Sequence, residues 1–93
     1  MNTNELNAIR RIIAEQLFDV YKRKFPVLQE YGWENNNDGC DIDTFINLFR
    51  FQNDVLAAYF VYFHPDDVTI KDIVVEQVIL NGDGTYSTFP NLA

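Results

Sequence analysis

Three groups of side chains in this chain have types and spacings that could do chemistry. His64, the single histidine, precedes Asp66 and Asp67 by two and three residues. A carboxylate that orients an imidazole lets the ring act as a base near neutral pH. No nucleophile or second base stands at a telling spacing, and Pro65 turns the chain there, so the residues read as an exposed strand end. Cys40 is the only cysteine. A reactive thiol needs nearby cations or a helix N-terminus, whereas Asp38, Asp41 and Asp43 raise its pKa. The stretch Asn36-Asn37-Asp38-Gly39-Cys40-Asp41-Ile42-Asp43 is rich in oxygen donors. Placing Gly39 at the sixth position of a calcium loop puts Glu34, Asn36 and Asp38 at the first, third and fifth. It also puts Phe45 at the twelfth, where a bidentate Glu is required. The stretch therefore reads as a turn. One Cys and one His do not make a zinc site. Gly82 and Gly84 lack the following helix that a phosphate-cradling loop needs. The expectation is a non-enzymatic chain with no catalytic residue, no metal ligand and no cofactor.

The elements that position these residues change character along the chain. Residues 4–24 read as a helix, with Leu6, Ile9, Ile13, Leu17 and Val20 at three- and four-residue steps along one stripe. Ile12 and Tyr21 widen the stripe, while Arg10, Glu15, Lys22 and Arg23 lie off it. Asn2 with Glu5 reads as an N-terminal cap and its reciprocal partner. Pro26 disfavours helical geometry at Phe25 and ends the helix. Val27, Leu28, Tyr31 and Trp33 are too apolar for a free linker, so the spacing predicts a connecting segment, 25–41, whose first part runs back across the core.

Residues 34–41 form a loop in which Asn and Asp compete for backbone hydrogen bonds. Beyond it, 42–51, 55–63 and 68–80 are rich in Phe, Tyr, Val and Ile, as strands are. Asn53-Asp54 and His64-Pro65-Asp66-Asp67 supply turns between them, and Asn81-Gly82-Asp83-Gly84 is a hairpin turn into 85–89. The wholly apolar run 55–63 also fits a helix capped by Asp54, because periodicity does not separate the two. The tail 90–93 is expected to fray. The fold class expected is α+β, in one domain over 1–93. An N-terminal amphipathic helix packs on a three- to four-stranded antiparallel meander spanning 42–89.

Length and charge narrow the function. A chain of 93 residues with 47% apolar content can bury one modest core and is not a disordered tail. The longest apolar run, nine residues at 55–63, is far short of the roughly 20 needed to span a bilayer. The N-terminus lacks a basic leader, and one Cys makes no internal disulfide, so a reducing cytoplasm is the expected compartment. Residues 1–33 hold five basic and four acidic side chains, while 34–93 hold Arg50 and Lys71 against ten acids. That sign opposes nucleic-acid binding and attachment to anionic membranes.

An acidic sheet half bearing aromatic side chains suits a basic protein partner. Carboxylates steer encounter, and aromatic anchors supply the desolvated centre. The residues expected at such an interface are Asp41, Asp43, Asp66, Asp67, Asp72 and Glu76, with Trp33 and Tyr62. An inhibitor or immunity-type protein, whose carboxylates stand where phosphates would sit on a nucleic-acid-binding protein, is the most concrete form. Acids at turns also simply keep a sticky sheet soluble. Surplus apolar sheet surface points to a homodimer through one sheet face, or to cover by residues 27–33. Two alternatives remain: a ligand-binding or cone-shaped enzyme-like domain with Phe45, Phe49, Tyr59, Phe60 and Trp33 lining a pocket, and a structural subunit of a larger, phage-type assembly.

Overall fold

The computed structural model describes residues 2–25, 27–35, 43–51 and 55–89. One helix, α1 (Thr3–Lys22), precedes five strands: β1 (Leu28–Asn35), β2 (Thr44–Phe51), β3 (Leu56–Phe63), β4 (Ile70–Leu80) and β5 (Tyr86–Phe89). The strands form an antiparallel meander in the order β1-β2-β3-β4-β5. The fold is therefore α+β, with five strands rather than three or four. The difference lies in residues 28–35, which pair with β2 as an edge strand, with Leu28 and Trp33 packed against the core. Val27-Leu28 followed by Gln29-Glu30 breaks strict alternation, so the strand period was not legible there. The expected turn at Asn53-Asp54, most of the polar loop (36–42, with Cys40 and Asp41) and the tail 90–93 lie outside the described residues. β3 is a strand, and its wholly apolar sequence follows from its central position, with side chains packed on both faces.

Local chemistry sets the ends of α1. The Asn2 side-chain oxygen accepts a hydrogen bond from the Glu5 N–H at 2.9 Å, satisfying one of the helix's unpaired donors. At the other end the Phe25 N–H returns to the Lys22 carbonyl at 3.0 Å, just before Pro26. The buried face, however, differs from the expected stripe. Arg10, Ala14 and Phe18 are the buried positions, with Ile13, Leu17 and Tyr21 beside them. Ile12 and Val20 are 55% and 60% exposed. The helix carries apolar residues on two adjacent faces, so spacing alone leaves its rotation open. Two tertiary contacts set it: the Phe18 ring enters the centre of the sheet, and the Arg10 guanidinium finds acceptors at its end.

The core lies between α1 and one sheet face. Phe18 packs at 5.2 Å from Tyr59, 5.3 Å from Phe49 and 5.9 Å from Trp33 between ring centroids. Phe45, Ala57, Val61 and Phe63 complete this cluster. Tyr21 and Tyr59 lie against each other at 5.0 Å. Burial raises both phenol pKa values above the ordinary 10.0, and the neighbouring Tyr59 adds to the effect on Tyr21. A fold that favours the neutral phenols keeps this stability below their unfolded pKa and loses it as pH rises through the folded values. Phenolate absorbance in the native chain is thus expected to show Tyr21 and Tyr59 ionising above the ordinary phenol value, together with alkaline unfolding. All five titrating together at the ordinary value would refute this.

Candidate functional site

The buried cluster on the opposite face of the sheet draws on β2, β3 and β4. Ile46, Ala58, Phe60 and Val78 are buried there among Leu48, Leu56, Tyr62 and Val74. Cross-strand register places Ile46, Phe60 and Val74 in one row, and Tyr62 and Asp72 side by side in the next. Leu48, Ala58 and Glu76 form the row on the other side. The face is thus an apolar strip bordered on β4 by two carboxylates. Tyr62 stacks on Phe60 with rings 6.0 Å apart and 9° from parallel, presenting a flat aromatic surface. Toward β1, an extra residue at Tyr31 bulges the strand, with Gly32 at φ 119°, a region that favours glycine. The bulge puts the Tyr31 hydroxyl where the Arg50 Nε–H donates to it at 3.0 Å.

The β3–β4 turn is held from beneath by Arg10, which is 1% exposed. Its Nε–H donates to the Asp67 carbonyl at 2.8 Å and Nη2 to the His64 carbonyl at 3.0 Å. Nη1 meets Asp43 Oδ1 at 2.7 Å, and the guanidinium lies 5.3 Å from the Phe63 ring centroid. Sequence periodicity placed this residue off the buried stripe. The one signal for it was its position a helical turn before Ala14 and two before Leu17 and Phe18.

The expected interface residues divide under this geometry. Asp66 is exposed in the turn at φ 56°. Asp67 is exposed beside it, and its Oδ1 accepts the Val68 N–H at 2.7 Å. That bond, aided by the Thr69 hydroxyl, holds the carboxyl pKa below the ordinary value. Asp72 and Glu76 lie on the open face, with Asp72 Oδ1 accepting the Ile73 N–H at 2.8 Å. Asp66, Asp67, Asp72 and Glu76 make no ion pair among the described residues. Asp43 has an internal partner in Arg10. Trp33 lies on the other face, against Phe18 and under the Arg11 guanidinium at 5.6 Å. Asp41 is outside the described residues. Tyr62, Asp72 and Glu76 thus share the open face, with Asp66 and Asp67 at its end, and Trp33 stands apart.

The other candidate chemistry also resolves into structure. The His64 side chain is exposed, and its backbone N–H donates to the Thr69 carbonyl at 3.0 Å as the turn closes. The residues grouped as pocket lining split between faces: Phe60 lies opposite Phe45, Phe49, Tyr59 and Trp33. At the C-terminal end of α1, Lys22 contacts Asp19 at 2.9 Å and Glu30 at 3.2 Å, and Asn47 donates to Glu30 at 3.2 Å. No helix among the described residues is long and apolar enough to cross a membrane. Searched against family models, characterised proteins and solved structures, the chain matches none.

Proposed function

We propose that this chain is a non-enzymatic protein-binding module of the inhibitor or immunity type, engaging a basic protein surface with the sheet face turned away from α1. The observation that carries this reading is the apolar strip of β2–β4 with Tyr62 at its surface and Asp72 and Glu76 at its margin. Asp66 and Asp67 extend the negative field beyond the strip. Such a surface pairs a desolvating centre with carboxylates that steer a cationic partner.

The test uses charge reversal of Asp66, Asp72 and Glu76 to Lys, sparing Asp67 because it caps the turn. Partners captured by the native chain and lost by the variant are purified, and association is measured with both forms at low and high salt. The native on-rate is expected to exceed the variant's by about tenfold or more at low salt and to fall as salt rises. Association indifferent to salt and to these substitutions refutes the reading.

Self-association is a second reading, favoured by one observation. The β4–β5 hairpin exposes Leu80 at 66%, with Tyr86, Phe89 and Ile79 also exposed. Light scattering at micromolar concentration and high salt should show a dimer that Leu80→Lys disperses, and a monomer under those conditions excludes it.

A further inference from the structure

β5 pairs only with the C-terminal part of β4, from Gln77 to Leu80. Among the described residues, nothing pairs with the β5 side of β4 over Asp72–Glu76. Register fixes which main-chain groups face that open edge. The Asn81 N–H bonds to the Thr85 carbonyl across the hairpin at 3.0 Å, and antiparallel pairing alternates, so the odd-numbered residues direct their N–H and C=O toward β5. The same direction holds for Ile73 and Val75, because β4 keeps unbroken register with β3 from Asp72 to Gln77. The Ile73 N–H conforms: it points away from β3 and is taken by Asp72 Oδ1. Lys71 is the extra residue of a bulge against β3 and bounds the open stretch at its N-terminal side.

Side chains along this edge specify what can pair with it. Val74 lies between Asp72 and Glu76 on one face, and Ile73 and Val75 lie on the other. A second copy of this chain paired across Val74 would set Asp72 directly opposite Glu76, a destabilising like-charge pair. A strand with a cation two residues to either side of an apolar or hydroxyl-bearing residue meets opposite charge at both positions. We propose that the β4 edge accepts such a basic extended segment of a partner protein as an added antiparallel strand. This rests on the reading that the partner is basic, and it names the recognition mode. Addition exchanges main-chain hydrogen bonds at Ile73 and Val75. It also displaces the Asp72 carboxylate from the Ile73 N–H, freeing it for the incoming cation.

The probe is an acetylated, amidated Lys-Val-Thr-Val-Lys peptide, titrated into the full chain and followed by amide chemical shifts and exchange. Expected are slowed exchange at Val75 and weakening by about 2- to 30-fold in the Asp72→Asn/Glu76→Gln variant. N-methylation of the two Val residues, whose N–H groups face β4, should abolish binding, whereas N-methylation of the central Thr, whose N–H faces away, should leave it. Ile73→Pro should abolish binding as well, and because that N–H makes no bond to β3 the sheet is retained. The peptide with Glu in place of Lys should not bind. Binding unaffected by Val N-methylation overturns the edge mode while leaving the acidic-surface reading intact. The edge mode alone also fails if no peptide binds while the captured partner still associates in a salt-dependent way.

Discussion

Replacing Arg10 by Met is expected to destabilise the chain by about 3 kcal/mol or more, the range for removing one partner of a buried ion pair. Total stability for a chain of this length is on the order of 5–14 kcal/mol, so the loss is a large fraction of the whole. The substitution preserves much of the aliphatic volume, so the effect is electrostatic. It leaves the Asp43 carboxylate, 18% exposed, without its cation, and it strips a donor from the carbonyls of Asp67 and His64. The His64 carbonyl keeps the Asp67 N–H at 3.2 Å, so the cost falls mainly on the Asp67 carbonyl and on Asp43, whose partial exposure lets water offset some of its share. Urea denaturation measures the total. A double variant with Asp43→Asn should recover part of it, because the carboxylate that faced the guanidinium is then neutral. Arg10→Met within 0.5 kcal/mol of the native chain, the usual range for surface sites, would show that the clamp contributes nothing.

The second large effect is expected at Phe18. Phe18→Ala should cost about 3–5 kcal/mol, as deletion of a buried aromatic ring generally does. Phe18 is 1% exposed and is the helix residue whose ring meets Phe49, Tyr59 and Trp33. Its loss opens a cavity between α1 and the sheet, so the helix should exchange its amides faster than β2 and β3 do. Ile12→Ala, at an exposed site on the same helix, is the control and should stay within about 0.5 kcal/mol. Equal effects at the two sites would contradict the rotation of α1 described above.

These two residues also show where sequence reasoning stopped. Both fall in a segment whose helical character was legible, down to the Asn2 cap and the stop before Pro26. The turn chemistry of residues 64–67 and 81–84 was legible too, because Gly, Pro, Asn and Asp act through local backbone geometry. Trp33 reads from the sequence as a core anchor or an interface hot spot, the core being favoured, since a lone Trp beside a turn suits either role. Its place against Phe18 follows from the pairing of β1 with β2, which joins residues far apart in the chain. The surface acids divided in the same way. Asp43 faces a cation supplied from 33 residues away, whereas Asp72 and Glu76 make no ion pair among the described residues.

What the sequence by itself determined was the α+β class, the N-terminal helix, the turns at 64–67 and 81–84, and an acidic second half. These are local or summed properties, carried by residue type and short spacing. Only the tertiary structure decided which side of α1 is buried, that residues 28–35 are a strand, and that Arg10 pairs with Asp43. It also decided that, among the described residues, β5 pairs with β4 only over Gln77–Leu80. Each of these depends on which distant groups meet. A helix with apolar residues on two faces buries the one whose ring and guanidinium find partners, and strand register then fixes the direction of every side chain and main-chain donor.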